Sequence, residues 1–314
     1  MPKKDFLHNH TDFAGLMNAL SRKMKIAPQL IEKDYWLMHV LWTLQELKLK
    51  YELKGGTSLS KGWGLLNRFS EDVDLKIHPP DEMEVPFGKN QNSAAQKEKR
   101  NNYYEWILGT LKIPGATYVR RDKEFDDKDL RNAGFRIGYK SYFDEIPGLK
   151  HDILLEVGYD TTTPNEPKDI SSWAYDEAKV AGLEILTNRA MGVPCYLPEY
   201  TLVEKLDAIS RRYRRELEGK TVVNFTRHYY DVYQLLGETR VQEFIGSKEY
   251  LVHKKSKFRS EEADIGNNPA FTMPDLEVRA KYSERLKTSS SLYFYGQPTL
   301  DEILARLKEY LEKL

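Results

Sequence analysis

The chain has a single cysteine among its 314 residues, Cys195, which excludes an internal disulfide and any zinc site built from several thiolates. That usage fits a reducing cytoplasm. Net charge is also missing, because 48 Lys and Arg are matched by 48 Asp and Glu. A general nucleic-acid binder carries a basic excess, so any polyanion site here must be a local patch. Long hydrophobic runs are absent as well. The longest, around Tyr35 to Leu44, is interrupted by His39 and is too short to span a bilayer. No apolar signal core follows the opening Met-Pro-Lys-Lys-Asp-Phe. A cytoplasmic protein with no membrane partner is expected. There is no internal repeat, and no Gly-Lys-Ser/Thr closes a Walker A loop.

Prominent in the sequence is the stretch Lys54-Gly-Gly-Thr-Ser-Leu-Ser-Lys61, followed by Arg68-Phe-Ser-Glu-Asp-Val-Asp-Leu-Lys-Ile77. Successive side chains of a strand point to opposite faces, so Asp72 and Asp74 share one face while Val73, Leu75 and Ile77 fill the other. Two carboxylates fixed this way can bind divalent cations, Mg²⁺ or Mn²⁺. Just upstream, Gly55 and Gly56 allow close approach of backbone N–H groups to a ligand, and the helix start after Thr57 favours an anion. A phosphate cradle beside a metal platform suits phosphoryl or nucleotidyl transfer from an NTP.

Upstream, Phe13 to Leu47 reads as two helices, the second with a core-facing stripe of Ile31, Tyr35, Met38 and Leu41 or Trp42. Glu32, Lys33 and Asp34 in its first turn read as solvated charges, and His8 and His10 as surface residues. Downstream, His78 to Lys99 is polar and reads as a long surface loop, of the kind that is often functional. Phe135–Tyr139 and Asp152–Gly158 read as strands. Glu156 is a charge inside the apolar run Ile153-Leu-Leu-Glu-Val157, costly unless paired or bound to a metal. It is taken as a third carboxylate, with a solvent-facing edge strand as the alternative reading. Asp152, four residues earlier on the same face, is the alternative ligand.

Thr161 to Pro198 is irregular in composition and reads as a connection between lobes. A domain of residues 1–197 and a helical domain of residues 198–314 are expected. In the second, Thr201 and Glu204 have capping-box spacing, and Leu202, Val203, Leu206, Ile209 and Tyr213 form a buried stripe. Lys205 flanks that stripe and by itself reads as a snorkelling lysine. Arg211-Arg-Tyr-Arg-Arg215 could meet RNA phosphates or be a solvated face, and Arg227 could pair with Asp231 on a helix surface.

Several separated stretches together resemble the AbiEii/AbiGii-type toxins of the nucleotidyltransferase superfamily. They are Ile31-Glu-Lys-Asp-Tyr-Trp36, the glycine and Asp-x-Asp stretches above, Leu155-Glu-Val-Gly158, Pro198-Glu-Tyr-Thr-Leu-Val-Glu-Lys-Leu206 and Arg227-His-Tyr-Tyr-Asp231. They occur in the family's order from about Ile31 to Leu236. The resemblance implies an α+β fold: a nucleotidyltransferase-type mixed β-sheet flanked by helices, with a C-terminal helical lobe. It makes Asp72 and Asp74 the metal carboxylates and places Glu156 at the third acidic position, where other superfamily members have Asp. Lys205 would be the motif lysine facing the nucleotide phosphates and Asp231 the acid of the last motif. Gly55, Gly56 and Thr57 would hold phosphates, and Ser70 stands where the superfamily has a serine before the paired acids. The implied activity is transfer of NMP to a hydroxyl, of a tRNA 3′ end or other RNA, by a toxin with a cognate antitoxin. An NTP-binding protein without turnover, a phosphotransferase acting on a protein, and a nuclease are the other classes open to the residues.

Overall fold

A computed structural model describes residues 4–88, 90–146, 149–222, 225–259, 262–288 and 292–314. The chain forms two compact units. One comprises Met1–Trp63 and Ser70–Tyr196, the other Gly64–Phe69 and Leu197–Leu314.

The first unit is built on a mixed seven-stranded sheet in the order β3-β4-β5-β2-β1-β7-β6. The strands are β1 (Lys50–Lys54), β2 (Asp72–His78), β3 (Ala116–Asp122), β4 (Asn132–Tyr139), β5 (Ile153–Gly158), β6 (Asn165–Ile170) and β7 (Ala190–Tyr196). At its centre, β2 runs antiparallel to β1 and parallel to β5. β2 alternates strictly, with Val73, Leu75 and Ile77 buried and Asp72, Asp74, Lys76 and His78 part-exposed. Apolar burial on one side fixes the register and so fixes which side the acids occupy.

Helices α1 (Phe13–Met24) and α2 (Pro28–Glu46) precede the sheet. α2 opens with Pro at its first turn, where the missing N–H costs no hydrogen bond. Every residue from Leu30 to Leu41 is buried, so this part of α2 is a core helix with no solvent face. This overturns the solvated reading of its three charges. The Glu32 carboxylate accepts from Ser141 Oγ (2.7 Å) and Tyr142 N–H (3.0 Å), and Lys33 Nζ donates to the Lys150 carbonyl (2.7 Å). Asp34 pairs with Lys61 (2.9 Å) and accepts the Trp173 N–H (2.9 Å). Each charge in this core meets a partner, as burial requires. His8 is likewise buried, its ring against Trp36 and its Nδ1 2.9 Å from the Tyr35 hydroxyl.

Thr161 to Pro198 is not a linker. β6, helix α5 (Trp173–Val180) and β7 lie within it, and β7 pairs in parallel with β1. Between the strands lie α3 (Gly55–Thr57), continued by a π-helical turn from Ser58 to Gly62, and α4 (Ala94–Thr110), capped by a Ser93–Gln96 capping box.

The second unit is helical: α6 (Pro198–Leu217), α7 (Arg227–Leu235), α8 (Thr239–Phe244), α9 (Lys248–Lys257), α10 (Pro269–Thr272), α11 (Leu276–Thr288) and α12 (Leu300–Lys308). The stripe Leu202, Val203, Leu206, Ile209 and Tyr213 is buried as expected. The Thr201–Glu204 capping box is not formed. α6 starts three residues earlier at Pro198, the Thr201 hydroxyl donates to the Leu197 carbonyl (3.0 Å), and Glu204 pairs with Lys257 (2.6 Å). The Gly64–Phe69 segment joins this unit through Phe69 N–H to Leu292 O (2.7 Å) and Phe294 N–H to Asn67 O (2.8 Å). Among the described residues no helix is long and apolar enough to cross a membrane.

Candidate active site

In the sheet unit, the polar face of β2 carries Asp72 and Asp74, both half-buried. Parallel pairing with β5 sets Asp72 opposite Leu154 and Asp74 opposite Glu156. Neighbouring strands lie about 4.8 Å apart, so Glu156 is the carboxylate next to the pair. β5 is flanked by β4 and β2, so the edge-strand reading of Glu156 does not hold. Asp152 is engaged elsewhere: it accepts from Arg136 Nη1 (3.0 Å) and from the Tyr118 hydroxyl (3.2 Å). Among the described residues no three His, Cys, Asp or Glu side chains are drawn together tightly enough to hold a metal ion unaided.

The glycine stretch follows β1 directly. Gly55 has φ +71°, and a Cβ built on it would lie 2.1 Å from Asp74 Oδ2. Glycine is therefore required twice over, for the left-handed backbone and for the approach to the carboxylate. Among the described residues Asp74 makes no side-chain hydrogen bond or ion pair, which leaves its oxygens open to a ligand. Gly55→Ala should strain the turn by about 1–2 kcal/mol and push Asp74 out of place. The expected result is a loss of activity larger than the loss of thermal stability, measured on one preparation. Equal activity in wild type and variant would show that the contact is not functional.

Thr57 and Ser70 serve differently. Thr57 is buried, and its hydroxyl donates to the Asp72 carbonyl (2.5 Å), fixing the start of β2. Only its backbone is left to meet a phosphate. Ser70 is half-buried in the approach to β2. One residue was missed from the sequence. Burial lowers the pKa of Lys33, while Glu71, Asp72 and Asp152 act in the opposite sense. A buried cation thus sits within electrostatic reach of Asp72. In the sequence it is one of three consecutive charges, Glu32, Lys33 and Asp34, which carry no local sign of burial.

In the helical unit, Asp231 is fully buried on α7. The expected surface pair with Arg227 is replaced by a bidentate pair with Arg68, at 2.6 Å (Nε–Oδ1) and 2.8 Å (Nη2–Oδ2). Lys205 Nζ lies 3.0 Å from Asp231 Oδ2. Burial alone would raise the Asp231 pKa, but Arg68 and then Lys205 outweigh it and hold the carboxyl below the usual range. Lys205 shifts the other way: burial lowers its pKa, Asp231 offsets this in part, and Arg68 adds to the lowering.

His228 completes the cluster, with Nε2 2.6 Å from Arg212 and Nδ1 3.3 Å from Lys205 Nζ. Arginine and an ammonium lysine both only donate, and a neutral ring has a single accepting nitrogen, so His228 accepts from one of them at a time. Burial first, then Lys205 and Arg212, lowers the His228 pKa and keeps the ring neutral. Two cationic side chains, Arg68 and Lys205, thus pair with one buried carboxylate. The remaining basic residues of the Arg211–Arg215 run are partly neutralised, Arg211 by Asp207 (2.7 Å) and Arg214 by Glu262 (2.8 Å).

Residues 38–310 match the family described as nucleotidyl transferase AbiEii toxin, type IV toxin–antitoxin system. No curated protein matches the chain. Among solved structures, an antigenic nucleotidyltransferase-like protein from Paracoccidioides brasiliensis is similar at 15% identity and a TM-score of 0.38, over 74% of this chain and 96% of that one. A likeness that low carries no argument about the site. The family match spans most of the chain, including the Asp-x-Asp strand, Lys205 and Asp231, and this chain belongs to the AbiEii family of nucleotidyl transferase toxins.

Proposed function

We propose that this toxin transfers NMP from an NTP to an acceptor hydroxyl on RNA, a tRNA 3′ end being the expected acceptor. One observation carries the reading: two acids on one face of β2, with Gly55 packed against the carboxylate of the second. The donor set fits Mg²⁺, or Mn²⁺, because it is all oxygen and supplies few ligands. Mg²⁺ is commonly held by one or two carboxylates and completed by substrate phosphates and water. Asp72 and Asp74 would hold it, with Glu156 beside them. Such an ion would supply activation of the acceptor hydroxyl and charge neutralisation at the leaving pyrophosphate.

The chain's own residues do the rest. Thr57 fixes the strand that carries the acids, and Gly55 and Gly56 let the phosphates approach the backbone. In the reaction the acceptor oxygen bonds to the α-phosphorus and gives its proton to solvent, while the bond from the α-phosphorus to the β-bridging oxygen breaks and pyrophosphate departs. Lys205 is assigned to phosphate charge, and Asp231 to positioning Lys205. A cognate antitoxin is the expected partner in the cell.

The test is incubation with total RNA and Mg²⁺ with each NTP in turn, labelled at either the α- or the γ-phosphate. Retention of α-label on RNA, with γ-label released, is expected. Retention of γ-label on a protein instead would identify a phosphotransferase. NTP binding without label on any acceptor would identify a binding protein, and RNA shortening without NTP a nuclease.

A further inference from the structure

We infer that the sheet unit has a second binding pocket, for a nucleotide, away from the Asp72 and Asp74 end of β2. The polar face of β2 continues past Asp74 to Lys76 and His78, with Glu52 and Lys50 of β1 opposite them in register. At about 3.3 Å per residue, His78 lies roughly 13 Å along the strand from Asp74. A cavity of about 710 Å³ opens there, with Lys50, Lys76, His78, Phe87 and Tyr159 in its walls. That volume falls within the range of small-molecule sites.

The aromatic wall is built. Phe87 is 54% exposed, yet its ring stacks on Tyr159 with centroids 5.6 Å apart and planes 11° from parallel. Its loop, between β2 and α4, is held by two arginines. The fully buried Arg100 donates to the carbonyls of Pro86 (2.7 Å) and Gln91 (2.9 Å). Arg131 donates to the carbonyls of Phe87 (2.9 Å) and Gly88. The hydrogen bonds thus fix the backbone on both sides of a ring that the core does not cover. A loop serving only to connect β2 and α4 has no need of such a ring. Held this way, the ring is a preorganised stacking platform, and stacking accepts any base.

The opposite wall is polar, with Lys50 and Lys76 matched by Glu52 and Asp81. Glu52 is buried and saturated: it accepts from Thr162 Oγ1, His78 Nε2 (2.7 Å), Asn165 Nδ2 (3.1 Å) and Lys76 Nζ (3.2 Å). It thereby fixes Lys76 and His78 in the wall without presenting a free carboxylate to a ligand. Lys50 and Asp81 stand exposed at the rim. A flat aromatic platform facing fixed polar side chains suits a base, with Lys50 at the rim to meet its phosphate.

The test is calorimetric titration of the full chain with AMP and, separately, with the trinucleotide ApApA. EDTA is present so that metal-bridged phosphate binding at Asp72 and Asp74 is not read. Loss of one stacked base weakens binding by about fivefold or more. Phe87→Ala should therefore bind at least about fivefold more weakly than wild type, Phe87→Trp should restore binding, and Asp74→Asn should bind as wild type does. Tighter binding of ApApA than of AMP identifies an RNA strand as the ligand, and equal binding a mononucleotide. Absence of binding to wild type, or wild-type affinity in Phe87→Ala, overturns the inference. Because no transfer is read, the outcome is independent of the proposed reaction.

Discussion

Asp74→Asn should lower nucleotidyl transfer by about 10²–10³-fold or more, the range seen when one charge-stabilising group is removed from an active site. Thermal stability should stay close to that of wild type. The reasoning joins two observations. Asp74 makes no side-chain hydrogen bond or ion pair among the described residues, so neutralising it leaves no buried partner stranded. Asparagine also keeps the shape of the group that packs against Gly55, so the turn is undisturbed. Asp72→Asn should cost similar activity but somewhat more stability, because Asp72 is one of three acids acting on the buried Lys33. The comparison needs initial rates of α-label incorporation into RNA, together with melting curves. An Asp74→Asn protein that labels RNA at the wild-type rate would remove the acid pair from the mechanism.

How much of this was legible in the sequence follows from where each residue's partners lie. β2 was legible because its two faces are written in alternate residues, and Gly55 because a glycine pair before a helical turn is a local signal. The charges of α2 were not. Glu32, Lys33 and Asp34 find partners 27 to 139 residues away, and only tertiary contacts distinguish a buried charged turn from a solvated one. β7 was hidden for a related reason. Gly192 and Pro194 give it the composition of a loop, and its place in the sheet depends on pairing with β1 at Leu53 and Cys195. Glu156 was readable as anomalous, but the strand order that sets it beside Asp74 was not. Asp231 was assigned to the wrong arginine. Helical spacing offers Arg227, whereas the fold brings Arg68 from a segment far upstream in sequence.

That substitution of partners makes Asp231 the residue whose loss should most destabilise the helical unit. Asp231→Ala leaves Arg68 and Lys205 buried without their shared counter-charge, a change that costs about 3–5 kcal/mol. Lys205→Met should cost less, because the bidentate Arg68–Asp231 pair survives it. All five tryptophans, Trp36, Trp42, Trp63, Trp106 and Trp173, lie in the sheet unit, so the two units can be followed separately. Urea unfolding of Asp231→Ala should show an early loss of far-ultraviolet helix signal, while the tryptophan transition stays near its wild-type midpoint. The pH dependence has a definite sign. The folded-state pKa of Asp231 is depressed, so its charge stabilises the fold fully above the unfolded value of about 3.9. That contribution is lost as pH falls through the lower, folded-state value. Asp231→Asn should therefore differ from wild type by a constant margin from about pH 5 to pH 8 and converge on it in acid. A margin that instead changed between pH 5 and pH 8 would mean that another group, and not Asp231, carries the network's charge balance.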